Sequence, residues 1–381
     1  MKNKSCFALL VLQVFMLCSI TLFCVAPISC KLTEEGVLMT GGDYEPPSIV
    51  SFDVVDEKSV RLMFSEGVKI DTAVVSKQIE NVSDSMEHSS SQKASAALEA
   101  AAGANGTINS SVVMSEDNLC ATILMEESCE IGAHYELYGC VSDKIGNSLT
   151  FCVPFTGYNC FVPKLIMSEL QIKYAKGTLS GKAVFRSEYI EFVVLEDGNL
   201  GGLELVSGSD GEDKKYCFPA IEVKKGQVFL VHFRTMGEGC VDERENLSEA
   251  SAIYSVQGVL DLWSGYTSAS FNDNSDVLIL RNGCTGEILD GFMYCSPEST
   301  EWKTGPAEFA KLLANAQIYE SGNVFEAALS KGVTAQKTFQ RQNVRQILES
   351  VNNQNEIEYP IKNNSDFWVI KAASPGEISE N

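Results

Sequence analysis

The sequence predicts an all-β fold of two consecutive β-sandwich domains, with a helix inserted in the C-terminal one. Three observations lead there. From Ile49 onward, short runs of residues alternate between apolar and polar, the period of a strand with one buried face. Clusters containing Gly, Asn, Asp and Ser separate these runs, as turns between paired strands require. The chain has 381 residues, 45% of them hydrophobic, which is ample for more than one core.

The N-terminus has a different character. Lys2 and Lys4 are followed by an uncharged, mostly apolar run from Phe7 to Ala26, then Pro27, Ile28, Ser29 and Cys30. This basic, apolar, small-residue order is that of a secretory signal. The apolar run is about twenty residues long, enough to cross a bilayer as a helix, so a cleaved signal and a retained anchor both remain open. Ser29-Cys30 at the end of the run resembles the bacterial lipobox, although Pro27 stands where that pattern carries Leu. The resemblance implies lipidation at Cys30. Each reading gives an exported protein with residues 31–381 outside the cytoplasm. Two of them hold it to the membrane, in the periplasm or at the cell surface, through an N-terminal lipid or anchor. Residues 31–45 are polar and Gly-containing, and read as a tether.

The first domain is expected over residues 46–161. Pro46-Pro47 opens it, and Ile49 to Val55 pairs across the turn Asp56-Glu57-Lys58-Ser59 with Val60, Leu62 and Phe64. Residues 83–111 are rich in Ser, Ala, Gly and Asn and read as a flexible insertion, with at most a short Ala-rich helix over 92–102. Strands return at 119–125, 134–141 and 149–155, the last two joined by the turn Ser142 to Asn147. The segments "VRLMFSEGV" at Val60 and "YELYGCVSDKIGNSL" at Tyr135, with its Asp-x-x-Gly-Asn turn, resemble bacterial Ig-like domains of surface-layer and exported proteins. That resemblance implies an Ig-like sandwich.

The second domain is expected over residues 163–381. Strands are read at Leu165, Met167 and Leu170, then over 188–194, 200–205, 221–223, 228–232, 262–263, 277–280 and 288–290. The pieces "SEL" at Ser168, "EYIEF" at Glu188, "LGGLEL" at Leu200, "KKGQVFLV" at Lys224, "SDVLIL" at Ser275 and "GEILDGFMY" at Gly286 resemble the lamin-tail domain. Arg341, "NNSDFW" at Asn363 and "SPG" at Ser374 resemble its closing segment. The resemblance implies a second Ig-like sandwich that acts as an interaction domain. The run "FAKLLANAQIY" at Phe309 departs from that family. It reads as an inserted amphipathic helix with Phe309, Leu312, Leu313 and Ala316 on one face, covering an open end of the sandwich. A second helix is expected over 342–350.

The chemistry-bearing residues are sparse. With 51 acidic and 29 basic residues the chain carries a formal charge of −22, which repels phosphate backbones and makes nucleic acid an unfavourable partner. The three histidines, His88, His134 and His232, have no ligand spacing and are read as packed or edge-strand residues. No Walker loop, G-x-G-x-x-G fingerprint or G-x-S-x-G elbow occurs, and no cofactor is expected. Nine cysteines follow residue 30, none in a C-x-x-C pair. The last four, Cys217, Cys240, Cys284 and Cys295, could close two disulfides, and buried free thiols are the alternative. The turn Asn272 to Asp276 offers oxygen ligands at alternating positions, making Asp273 and Asp276 weak candidates for a cation. However, Val277 and Gly283 replace the Gly and Glu of a calcium loop. The expected function is therefore a non-catalytic binding or structural module of the cell envelope, with a protein or carbohydrate partner at the sandwich loops. The alternative is a carboxylate-based hydrolase with its site at the domain junction.

Overall fold

The computed structural model describes residues 31–33, 36–38, 45–78, 106–179, 181–244, 246–353 and 358–378. The signal-like segment with Cys30, the helix considered over 92–102 and His88 lie outside the described residues. No helix among the described residues is long and apolar enough to cross a membrane.

Strands β1 (Lys31–Thr33) and β2 (Gly36–Leu38) pair as a small hairpin within the stretch read as a tether. Eight strands then build a first sandwich: β3 (Ile49–Asp56), β4 (Ser59–Phe64), β5 (Lys69–Lys77), β6 (Thr107–Ile108), β7 (Ser110–Met114), β8 (Cys120–Met125), β9 (His134–Ser142) and β10 (Ser148–Thr156). They form two four-stranded sheets, ordered β3-β4-β8-β7 and β10-β9-β5-β6. Alternation puts Val60, Leu62 and Phe64 from one sheet, and Tyr135, Leu137 and Val141 from the other, into one shared core. Strands β6 and β7 begin inside the stretch assigned to an insertion, so its last residues belong to the sheets. The Asp143 turn is local chemistry. Its Oδ1 accepts the backbone N–H groups of Ile145, Gly146 and Asn147 at 2.6–2.9 Å, and Gly146 takes the left-handed φ of +100° that the turn needs.

The second sandwich starts with β11 (Lys164–Gln171), β12 (Ala175–Leu179), β13 (Lys182–Arg186), β14 (Glu188–Glu196), β15 (Gly198–Asn199), β16 (Leu203–Ser207) and β17 (Gly211–Cys217). It continues with β18 (Glu222–Val223), β19 (Val228–Phe233), β20 (Leu260–Trp263), β21 (Asp276–Asn282), β22 (Ile288–Cys295), β23 (Ala328–Leu329), β24 (Lys337–Arg341) and β25 (Trp368–Ala372). A six-stranded sheet, β20-β19-β14-β11-β24-β25, faces a five-stranded sheet, β17-β16-β21-β22-β23. Phe192, Phe229, Phe292 and Phe339 fill the space between them. The glycine-rich acidic run Ser207 to Lys215, whose composition reads as a turn, turns early and its second half belongs to β17.

Both sheets are also covered on their outer faces, so this half of the molecule is thicker than a plain sandwich. The helix Thr304–Asn315 lies across β21 and β22, with Ala310 and Leu313 packed on Val277, Ile279 and Met293. It covers a sheet face rather than an open end. Its buried face runs through Pro306, Ala310 and Leu313, while Leu312 remains 40% exposed, so the apolar stripe is rotated from the one its sequence suggests. Gly291 makes the close approach possible, because a Cβ there would lie 2.2 Å from Leu313 Cδ2. The second helix, Val344–Asn352, packs with Ile166, Val193, Leu195 and Ile361 on the opposite outer face.

The two sandwiches meet through small residues. The Asn159 side-chain amide donates to the carbonyls of Asn199 and Gly201 at 2.6 and 2.8 Å, and a Cβ on Gly132 would lie 2.9 Å from Gly201 Cα. All nine described cysteines are free thiols, so neither of the two disulfides considered for the second domain is formed.

Two outcomes follow. Leu313→Ala should lower unfolding free energy by about 2–5 kcal/mol in urea titrations, because it leaves a cavity under the helix. Alkylation of the native protein should modify the exposed Cys152, Cys160 and Cys217, and reach the buried Cys129 and Cys295 only after denaturation; peptide mapping would reveal any disulfide instead.

Candidate functional site

Among the described residues, the second sandwich draws together several sets of polar residues, and an open groove lies at one pair of sheet edges. The first set is on the outer face of the six-stranded sheet. Glu169 on β11 and Glu191 on β14 are direct cross-strand partners, and both are almost wholly buried, at 2% and 1% exposure. Side chains opposite each other across an antiparallel pair have Cβ atoms about 5 Å apart. Two carboxylates so placed cannot both carry charge cheaply.

The surroundings decide which one does. Glu169 accepts a hydrogen bond from the Tyr189 hydroxyl, one from Thr338 Oγ1 at 2.8 Å and one from Gln340 Nε2 at 3.3 Å. The backbone N–H and the hydroxyl of Ser374 donate to it at 3.1 and 2.9 Å. Five donors thus converge on its two oxygens. Glu191 has fewer partners: the Ser168 hydroxyl at 2.6 Å and the Gly376 N–H at 2.7 Å. Burial, reinforced by the neighbouring Glu169, pushes its carboxyl up to about 8, so it holds its proton at neutral pH. Both carboxylates grip the closing "SPG" segment, which straps the outer face of the sheet.

A second set lies further along the same face. His232 Nε2 is 2.8 Å from Asp261 Oδ1, with both side chains buried, and the imidazole stacks on Trp263 with centroids 4.2 Å apart. Glu243 accepts the N–H groups of Glu249 and Ala250 at 3.0 and 2.9 Å and that of Asp261 at 3.2 Å, which pins the long loop after β19 to β20. His134 is exposed at the start of β9. Thus His232 is a packed histidine, whereas His134 is an exposed residue at the end of an interior strand rather than on an edge strand.

The third set is the Asp290–Arg341 pair, wholly buried with Oδ2 and Nη1 3.8 Å apart. Burial raises the Asp290 carboxyl to about 6, although Arg341 and the Met167 N–H pull the other way. Arg341 also donates to Asn343 Oδ1 and to the carbonyl of Lys362, so it ties β24 to two flanking segments.

The cation candidates are placed separately from these sets. Asp276 is buried, and its oxygens accept from Ser207 Oγ at 2.7 Å and from the N–H groups of Ser209, Asn272 and Val277 at 2.9–3.1 Å. Those donors stand where a cation would have to approach. Asp273 lies 3.9 Å from Lys173 Nζ. Among the described residues no group of three or more His, Cys, Asp or Glu side chains is arranged to hold a metal ion. At the junction between the sandwiches Asn159 bonds the carbonyls of Asn199 and Gly201, and Gly132 approaches Gly201 closely. The carboxylate pair the fold does assemble, Glu169 and Glu191, is on the sheet face instead.

The open groove, of about 530 Å³, runs between the edges of the two sheets at β23 and β25. Phe339 and Trp368 form its floor, Lys331 and Asp366 contribute charge, and Phe325 and Leu329 stand on its rim, 75% and 55% exposed. The sequence offered no signal for it, because the groove exists only where two distant strand edges face each other.

Comparison with known proteins places the second sandwich. The family TP_1001_2nd, described as protein second domain, matches residues 163–370, more than half of the chain. The chain belongs to this second-domain family. A relative from Treponema pallidum (strain Nichols), described as an uncharacterized protein, is 26% identical over 165 residues, covering 43% of this chain and 40% of that protein. The chain therefore matches well under two thirds of that relative's length. Among solved structures, the N-terminal part of the bacterial S-layer protein SbsC is similar over 39% of this chain and 41% of that one, at 16% identity and a TM-score of 0.23. A DUF4876 family protein from Bacteroides thetaiotaomicron is similar over 72% of this chain and 82% of that one, at 9% identity and a TM-score of 0.27. At those scores the likeness carries no argument about function.

The buried carboxylates make stability depend on pH. Glu191 in the folded chain titrates near 8, well above an unperturbed glutamate near 4.3. Between those values the native state holds the extra proton, so unfolding free energy should fall as pH rises from about 5 to 8. Glu191→Gln leaves a neutral side chain of the same size whose amide oxygen can accept from Gly376, and should flatten that slope in urea titrations across the same range. An unchanged slope would assign the dependence elsewhere.

Proposed function

We propose that the chain is an exported, membrane-tethered binding module of the cell envelope, without catalysis. In this reading Cys30 carries a lipid, and the first sandwich is an Ig-like spacer. The second is a lamin-tail-like sandwich that meets a protein or carbohydrate partner through the loops and edges at its open end. The single observation that carries the reading is the contrast within the second sandwich. Its buried acids, His232 and Arg341 are engaged in holding strands, straps and loops, whereas the groove rimmed by Phe325 and Leu329 is open to a partner. Exposed apolar side chains around a concave floor are a recognised mark of interaction sites. The basic start, apolar run and Ser29-Cys30 of the N-terminus supply the tether.

The test is metabolic labelling with a palmitate analogue. Wild-type chain should incorporate label and Cys30→Ala should not, while the variant moves from the membrane to the soluble fraction or keeps its uncleaved leader. Equal labelling of the two would remove the lipoprotein reading.

A further inference from the structure

The hairpin of β12 and β13 is a basic stretch in an otherwise acidic chain. Residues 173–186 carry Lys173, Lys176, Lys182 and Arg186 and no acid, within a chain of net charge −22. The hairpin pairs only with itself, from Ala175↔Arg186 to Leu179↔Lys182, and belongs to neither large sheet. Its base is fixed by aromatic contacts. Tyr174 and Phe185 stack at 6.5 Å, and the Arg234 guanidinium lies 4.0 Å from the Tyr174 ring centre. Lys173 is held at the base by Asp273. Lys182, cross-strand from Leu179 at the tip, and Lys176, one pair from the base and 5.6 Å from the centre of the Phe185 ring, are exposed and make no ion pair among the described residues. Leu179 at the tip is 64% exposed, an apolar side chain opposite Lys182 and three residues from Lys176.

We infer that this hairpin is a second membrane contact, whose tip dips Leu179 into the surface of an anionic bilayer while Lys176 and Lys182 meet lipid phosphates. The inference rests on the membrane tether proposed above, which would keep the domain beside such a surface. Two arguments favour it. Five-residue strands extend roughly 17 Å, about twice the screening length of roughly 8 Å at physiological salt, so the tip escapes most of the repulsion from the acidic body. An exposed aliphatic side chain flanked by lysines suits the headgroup boundary, where the lysine stems lie along apolar surface and their charges remain in water. The shape is convex, which fits a flat surface better than an acidic peptide in search of a groove.

The experiment uses the full chain with Leu179→Trp, mixed with vesicles of phosphatidylcholine alone or with phosphatidylglycerol. Some of each carry lipids brominated on the acyl chain. The introduced indole should shift to the blue and be quenched by the bromines only in the anionic vesicles. Lys176→Glu with Lys182→Glu should abolish both effects. Because each basic residue near an anionic surface contributes roughly fivefold to binding, that double variant should lose more than about tenfold in hairpin engagement. Circular dichroism of each variant should match wild type. Emission that does not depend on lipid charge, quenching that survives the charge reversal, or lysine-dependent binding to a DNA duplex without any vesicle effect would each overturn the inference. Failure of the tether is distinguishable, since it appears as loss of flotation with neutral vesicles. In that event, flotation confined to anionic vesicles and lost on charge reversal would still support the hairpin contact.

Discussion

Two glutamates face each other across the middle of the six-stranded sheet, and much of the second sandwich is arranged around that fact. At an effective dielectric near 20, unit charges about 5 Å apart repel by roughly 3 kcal/mol. Glu169 and Glu191 avoid this cost by sharing the work unequally. Glu169 is met by five donors, and Glu191 keeps a proton. The donors come from β14, β24 and the strap after β25, so the pair joins segments some two hundred residues apart. Removing the strap would expose both acids to water and undo the reason for either to remain in place.

Asp290 and Arg341 form a buried ion pair, and His232 and Asp261 a buried hydrogen-bonded pair. A buried ion pair adds little over an apolar pair of the same size, yet losing one member leaves an uncompensated charge and costs about 3–5 kcal/mol. Each pair therefore acts as a constraint on which segments may meet. Arg341 holds the approach to the second helix, and Asp261 with Glu243 holds the loop after β19. This half of the molecule is built from sheets covered on both faces, and such coverings need polar anchors where the strands place polar side chains outward.

Against that closed interior, the surfaces left for partners are few and unlike one another. The groove between β23 and β25 has an aromatic floor, with apolar, polar and charged side chains around it. The β12–β13 hairpin is basic with an apolar tip. The rest of the surface is dominated by acid, which favours solubility and disfavours phosphate-bearing polymers.

Much of the strand framework was legible in the sequence. The β3–β4 hairpin, the Asp143 turn and β9, β14, β19, β21 and β22 follow from alternation and turn chemistry, which act between near neighbours in the chain. The β12–β13 hairpin was not legible, since a hairpin with no buried face shows no apolar period. Strand β5 carries a mixed pattern, and β6 and β7 adjoin a Ser- and Ala-rich stretch that masks them. For the inserted helix, the sequence supplied its existence but not its orientation, because Leu312 and Leu313 are equally apolar and only the hollow at Gly291 selects between them. The role of Glu169 and Glu191 was hidden altogether. In a strand, a glutamate at an outward position reads as solvent-exposed, and only the arrival of Thr338, Gln340, Ser374 and Gly376 buries it. Local pattern thus determined where the strands lie, and tertiary structure decided which of their charges are inside, since burial depends on segments that the chain brings back from far away.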